Sequence, residues 1–174
     1  MLLVDLSSLK DGPVTLDSEV AVDDPLFDGL DLNIAEPVKI DGRISSAGRT
    51  QVYWRGHLKA RVIEDCRRCL EPVTVNTVVD VDALFTDESD TEDPSVYSMG
   101  NRVGELYLGD AVREELILAV PGYVVCRDGC RGLCPTCGIN LNREQCKCLP
   151  VSDPRWTALE SLRDTSEQEL RRAN

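Results

Sequence analysis

Residues 126–148 read CRDGCRGLCPTCGINLNREQCKC and hold six of the eight cysteines of this 174-residue chain. The remaining two, Cys66 and Cys69, form a second short loop, CRRC. A Cys-x-x-Cys loop places two sulfurs on one side of a tight turn, and four thiolates from two such loops complete the tetrahedral coordination that zinc prefers. The proline and glycine of CPTCG favour such a turn, because proline stiffens it and glycine tolerates a positive φ. The spacing therefore predicts metal binding.

The eight cysteines suit two four-cysteine sites, and combining loops by proximity gives the preferred division. One site then consists of Cys66, Cys69, Cys126 and Cys130, and the other of Cys134, Cys137, Cys146 and Cys148. An alternative division places Cys126, Cys130, Cys134 and Cys137 around one ion and the other four around a second. We predict Zn²⁺ as the cofactor, with two ions preferred over one, although four-cysteine sites also accept iron.

Disulfides are the main alternative for these cysteines, but they belong to oxidising compartments. The N-terminal MLLVDLSSLKDG lacks the basic region and the apolar run of a secretory signal. No apolar stretch approaches the ~20 residues needed to span a bilayer. We therefore expect a cytoplasmic chain with no membrane partner, whose cysteines bind metal. A thioredoxin-like role for CRRC is disfavoured because the surrounding βαβ pattern is missing.

Alternating apolar and polar residues predict an α+β fold, an antiparallel β-sheet meander with a packed helix and a C-terminal cysteine-rich segment. Period-2 segments begin at Val38, Val52 and Val73, and the last two flank the CRRC loop. A helix is predicted from Asp110 as its N-cap to about Val120. We expect one integrated domain in three parts: 1–120, the sheet and helix with the Cys66/Cys69 loop; 121–150, the metal-binding segment; and 151–174, a C-terminal helix and tail.

The formal charge of −12 disfavours nucleic-acid binding by the chain as a whole. However, residues 37–85 carry eight basic against six acidic side chains, and residues 121–150 carry four against two. Near the cysteines these cations either offset the charge of zinc–thiolate sites or form an anion-binding face. On the strand at 52–63 they form either a solvated face paired with Asp80 and Asp82 or a strip along a phosphate backbone. The candidate nucleic-acid residues are Arg55, Lys59, Arg61, Arg67, Arg68, Arg127, Arg131, Arg143 and Lys147.

No sequence pattern indicates catalysis. The chain has no glycine-rich phosphate loop and no histidine–carboxylate or serine–histidine arrangement. A site whose four ligands are all cysteines also leaves no coordination position open for a substrate or an activated water. We therefore expect a protein that is not an enzyme and has no small-molecule substrate.

Four blocks, taken in this order, resemble the bacterial YceD family, the large ribosomal RNA subunit accumulation proteins. They are CRRCLEPV, ELILAVP, C-x3-C-x-GLCPTCGINLN-x3-C-x-C, which begins at Cys126, and DPRWTALESL. The resemblance implies a cytosolic, non-enzymatic factor needed for accumulation or processing of 23S rRNA, and all eight cysteines of the family's blocks are present. Its partners would be rRNA or a large-subunit ribosomal precursor. Two rival functions stay open: a module that holds a basic ribosomal protein without RNA contact, and a thiol-based metal or redox regulator.

Overall fold

The computed structural model describes residues 2–87, 93, 96–99, 104–149 and 155. These residues form eight strands, one α-helix (α1) and two short 3₁₀ helices. The strands are β1 Leu3–Asp5, β2 Val14–Val20, β3 Asn33–Ile34, β4 Val38–Ser46, β5 Gln51–Asp65, β6 Pro72–Thr86, β7 Val96–Ser98 and β8 Glu105–Tyr107. Helix α1 spans Gly109–Ala119, and the 3₁₀ helices span Leu6–Asp11 and Pro25–Phe27.

The main sheet has the strand order β2-β4-β5-β6-β7, with β3 also paired to β5. Its neighbours run antiparallel, except that β7 pairs with β6 in parallel. Strands β1 and β8 form a separate antiparallel pair. A mostly antiparallel sheet with one main helix agrees with the α+β fold expected from the sequence, within the residues that the structure describes.

Strand β5 has one buried face and one exposed face, as its alternating sequence predicts. Trp54, Leu58 and Val62 are fully buried, whereas the basic side chains between them point to solvent. Gly56 lies opposite Gly42 of β4. A Cβ added at Gly56 would lie 1.9 Å from the carbonyl oxygen of Asp41, so the two strands approach here more closely than any side chain allows.

Helix α1 packs against β5 and β6 through its buried residues Ala111, Val112 and Leu116. The prediction of Asp110 as the N-cap is wrong, because the cap is Leu108, which makes no side-chain capping bond. The Leu108 N–H instead donates to the carbonyl of Leu2 at 2.9 Å, so a bond to the chain beside β1 positions the helix start. Asp110 lies in the first turn, where a negative charge favours the helix dipole.

One prediction falls largely outside the described residues. Of the C-terminal helix and tail, 151–174, only Arg155 is described. The division of the chain into three parts stays a prediction. Across the described ranges, no helix is both long enough and apolar enough to cross a bilayer.

Candidate metal centres

The turn between β5 and β6 presents Cys66 and Cys69 at the end of the two longest strands. The Cys66 N–H donates to the carbonyl of Glu71 at 2.9 Å, and the Leu70 N–H donates to the carbonyl of Cys66 at 2.8 Å. Leu70 closes the turn with a φ of +59°, a conformation that non-glycine residues adopt rarely. The turn therefore directs both sulfurs toward the segment that follows α1.

Backbone hydrogen bonds hold that following segment on the turn. The Arg67 N–H donates to the carbonyl of Val124 at 2.8 Å, which brings Cys126 and Cys130 beside the turn. We call the resulting group the hairpin centre: Cys66, Cys69, Cys126 and Cys130, whose four Sγ atoms all lie within 4.8 Å of one another.

The sulfur separations in the hairpin centre fit one tetrahedral ion. Cys66 Sγ lies 3.9 Å from Cys130 Sγ, and Cys69 Sγ lies 3.7 Å from Cys126 Sγ. Four sulfurs at about 2.3 Å from a zinc ion would be about 3.8 Å apart. The donor set and its spacing therefore suit zinc.

A second group, the loop centre, consists of Cys134, Cys137, Cys146 and Cys148, whose Sγ atoms also lie within 4.8 Å of one another. Its first turn is closed by the Gly138 N–H, which donates to the carbonyl of Cys134 at 2.9 Å. Gly138 has a φ of +74°, the conformation for which the sequence pattern requires glycine. The two centres group the cysteines as in the preferred division, and all eight are free rather than disulfide-bonded.

Neighbouring groups shift the cysteine pKa values in opposite directions. Burial raises the pKa of Cys66, but backbone N–H groups, that of Cys126 first, outweigh it and lower this pKa to about 6. Two backbone N–H groups lower the pKa of Cys134 to about 6 as well. Burial first, and neighbouring thiols second, raise the pKa of Cys126 to about 12. The Cys137 thiol is the main cause that raises the pKa of Cys148 to about 12. Each centre thus combines a thiol of lowered pKa with a thiol of raised pKa, and a bound cation would favour the thiolate form of both.

The two arginines of CRRC use their side chains to hold the cysteine-rich segment. Arg67 Nε donates to the carbonyl of Gly122 at 3.1 Å. Arg68 Nη1 donates to the carbonyls of Asp128 and Cys130, both at 3.2 Å. These predicted nucleic-acid residues therefore have a clear structural role beside the hairpin centre.

The basic strip on β5 is already paired with carboxylates. The ion pairs are Arg55–Asp82 at 2.6 Å, Lys59–Asp41 at 2.8 Å and Arg61–Glu36 at 2.5 Å. The hydrogen bond from Lys59, and then that from His57, lower the pKa of Asp41. These contacts match the alternative of a solvated, charge-paired sheet face, but of the predicted partners only Asp82 takes part in them, and Lys59 and Arg61 pair with other carboxylates.

The other four candidate cations belong to the cysteine-rich segment. Arg143 pairs with Glu71 at 2.5 Å, and Arg127 donates to the side-chain oxygen of Asn142 at 3.0 Å. The side chains of Arg131 and Lys147 have no ion pair with any residue that the structure describes. Their positive charges are thus not balanced by a neighbouring carboxylate among the described residues.

Two asparagines in the loop between Cys137 and Cys146 were not identified from the sequence as site residues. Asn142 Nδ2 donates to Cys130 Sγ at 3.3 Å, so it reaches the hairpin centre. Asn140 Nδ2 donates to Glu71 Oε1 at 3.1 Å, next to the CRRC turn. The sequence offers only their alternation with apolar residues in GINLN, and alternation does not reveal contacts between distant segments.

The protein thus combines a mostly antiparallel sheet with two four-cysteine clusters, each of which is a candidate metal centre. The family model described as "Large ribosomal RNA subunit accumulation protein YceD" matches residues 54–163, a range that includes both centres. This chain belongs to the YceD family.

Similar curated proteins occur in mycobacteria. Uncharacterized proteins of Mycobacterium bovis and Mycobacterium tuberculosis are each 32% identical to the chain over 139 residues, which is 76% of this chain and 65% of the relative. An uncharacterized protein of Mycobacterium leprae is 28% identical over 142 residues, 77% of this chain and 64% of the relative. The chain therefore matches somewhat less than two thirds of the length of these relatives. No solved structure matches it.

Proposed function

We propose that this chain is a non-enzymatic, zinc-binding cytoplasmic factor in the accumulation and processing of 23S rRNA during large ribosomal subunit biogenesis. The observation that carries the proposal is the pair of four-cysteine clusters, each with its sulfurs within 4.8 Å, in a YceD-family chain. The family's description supports a role connected with large-subunit ribosomal RNA.

The donor sets favour structural zinc over catalytic zinc. Catalytic zinc sites keep a position for water or substrate, whereas four cysteines occupy all four positions of the tetrahedron. The hairpin centre would attach the segment after α1 to the β5–β6 turn, and the loop centre would close residues 134–148 on themselves. The metal would thereby shape a surface rather than take part in a reaction.

Metal analysis combined with thiol titration tests the zinc proposal. The purified protein should contain two zinc ions per chain and show almost no reactive thiol until a chelator or denaturant is added. The variant Cys134→Ser/Cys137→Ser should retain one ion, held by the hairpin centre. A folded, metal-free protein with eight reactive thiols would refute the proposal and favour the thiol-based regulator.

Direct RNA contact is proposed for the nine candidate cations, with Arg131 and Lys147 as the main contributors. A phosphate must displace an existing carboxylate to reach Arg55, Lys59 or Arg61, whereas Arg131 and Lys147 have no such partner among the described residues. Each phosphate contact contributes a slope of roughly −0.7 to −0.9 to the dependence of log affinity on log salt concentration. Removal of two contacts should therefore reduce the slope by about 1.4 to 1.8.

The test compares Arg131→Ala/Lys147→Ala with Lys59→Ala/Arg61→Ala in rRNA-binding titrations at several salt concentrations. We expect the first pair to weaken binding and flatten the salt dependence more than the second. Lys10→Ala, on the 3₁₀ helix Leu6–Asp11, is the control. An unchanged slope in both double variants would exclude these residues as phosphate contacts.

A basic ribosomal protein is the second candidate partner, and the ion-paired strip on β5 favours it. Because carboxylates match the strip's cations, that face presents no unpaired row of positive charge to repel a basic partner, and the chain as a whole carries a net charge of −12. Capture of partners from a lysate with and without ribonuclease separates the candidates. A direct protein contact persists after the nuclease, whereas an RNA-mediated one is lost.

A further inference from the structure

The two centres are connected through one side chain, Asn142. This residue lies on the loop between Cys137 and Cys146, whereas the sulfur that it contacts, Cys130 Sγ, belongs to the hairpin centre. Its Nδ2 donates to that sulfur at 3.3 Å, and its Oδ1 accepts from the N–H of Arg131 at 2.8 Å. Both ends of the amide are thus engaged around Cys130.

The neighbouring asparagine and the backbone hold Asn142 in place. The Oδ1 atom of Asn140 accepts from the Asn142 N–H at 3.0 Å and from Asn142 Nδ2 at 2.9 Å. The Leu141 N–H donates to the carbonyl of Gly132 at 2.9 Å. The loop of one centre therefore lies against the segment that carries a ligand of the other.

Gly132 makes this close approach possible. It has a φ of +72°, and a Cβ added there would lie 2.9 Å from the carbonyl oxygen of Arg68. That same carbonyl accepts the Leu133 N–H at 2.9 Å. The CRRC turn and the start of the loop centre are consequently in direct backbone contact.

We propose that metal binding at the two centres is cooperative and that Asn142 is the positioning residue that couples them. An N–H donor stabilises a metal-bound thiolate, and loss of such an outer partner typically lowers metal affinity 10- to 100-fold. Asn142 is held beside Cys130 only while its loop is closed, and the loop is closed by the loop centre. By linkage, each centre strengthens the other by the same factor.

This inference rests on the proposed zinc binding, and a double-mutant cycle tests it separately. Zinc affinity of the hairpin centre is measured by competition with a chromophoric chelator in four proteins: wild type, Asn142→Ala, Cys134→Ser/Cys137→Ser, and the combination. We expect Asn142→Ala and Cys134→Ser/Cys137→Ser each to lower the zinc affinity of the hairpin centre 10- to 100-fold. The combination should lower this affinity little further. Asn76→Ala, an exposed asparagine that bonds Arg61 on the sheet, is the matched control and should change nothing.

The possible outcomes distinguish a failure of the proposed zinc binding from a failure of the proposed coupling. If wild type binds no zinc, the proposed function fails. If wild type binds two ions but the effects of the two changes on the zinc affinity of the hairpin centre are additive, only the coupling fails. The same holds if Asn142→Ala leaves that affinity unchanged. A purely structural Asn142 would weaken the hairpin centre equally in both backgrounds. Asn142→Asp, which keeps the shape but replaces the amide donor by a carboxylate, provides a second variant and should also weaken the hairpin centre.

Discussion

Removal of metal from both centres should release residues 122–149 while the sheet stays folded. The buried side chains form two separate clusters. The larger one joins the strands and α1 and contains no cysteine. The smaller one consists of Cys66, Cys69 and Cys130, with Val73, Val125 and Leu133 packed against it. A chelator should therefore act on the smaller cluster and leave the larger one intact.

The magnitude follows from the contacts that hold the segment. Direct hydrogen bonds to the CRRC turn, such as Arg67 N–H to Val124 and Leu133 N–H to Arg68, contribute only about 1 kcal/mol each. A structural zinc ion supplies about 10–16 kcal/mol in zinc-finger peptides. The two ions are thus the largest stabilising contribution to this segment.

Hydrogen exchange followed by mass spectrometry is the assay. After addition of a chelator and verified loss of metal, amides of residues 122–149, including those of Leu133 and Gly138, should exchange at rates near those of an unfolded chain. Amides paired between β4, β5 and β6 should keep their protection. Persistent protection of the segment without metal, or loss of the sheet in the same step, would refute the reasoning.

Two glycine substitutions and one aspartate substitution have defined outcomes. Gly129→Ala is the control for the glycine variants, because a Cβ added there meets nothing within 4 Å. Gly56→Ala should destabilise the fold by about 3 kcal/mol or more in denaturant titrations, because its Cβ would lie 1.9 Å from a backbone oxygen. Gly132→Ala should cost roughly 1–2 kcal/mol for its positive φ and also weaken zinc binding at the hairpin centre. Asp41→Asn should cost about 0.2–1 kcal/mol at pH 7. Since the bond from Lys59 is the first cause that lowers the pKa of Asp41, this stabilisation is complete above about pH 4 and is lost as the pH falls through the folded-state pKa. The difference between Asp41→Asn and wild type should therefore shrink at low pH.

The sequence predicted those features that depend on local periodicity. The alternation in β4, β5 and β6 identified the buried faces, since neighbouring residues of a strand point to opposite sides of the sheet. The CRRC loop lies between β5 and β6 as expected, because Leu70 and Glu71 complete the turn and Pro72 begins the next strand. Proximity of the cysteine loops gave the preferred of two divisions, and the structure brings together the same two groups of four.

Features that depend on contacts between distant segments were not predictable in this way. The helix starts at Gly109 because the Leu108 N–H bonds to Leu2, more than 100 residues away in the chain. The parallel pairing of β7 with β6 is likewise not indicated by local alternation, because a strand's own pattern does not give the direction of its neighbour. The residues next to Asn142 in the sequence are those of an ordinary surface loop. Only the fold places its amide beside Cys130.

The roles of the cations show why charge counts alone are a weak guide to an RNA-binding surface. A count assigns the same value to Arg68 and Arg131, yet Arg68 donates to two backbone carbonyls while the Arg131 side chain has no ion pair among the described residues. Four thiolates around one divalent ion also leave a net charge of about −2, so each filled centre would offset two nearby cations. Phosphate binding at this end of the molecule must therefore depend on the few cations that project beyond the centres. Arg131 and Lys147, rather than the longer basic strip on β5, are therefore the decisive positions for the salt-dependence experiment.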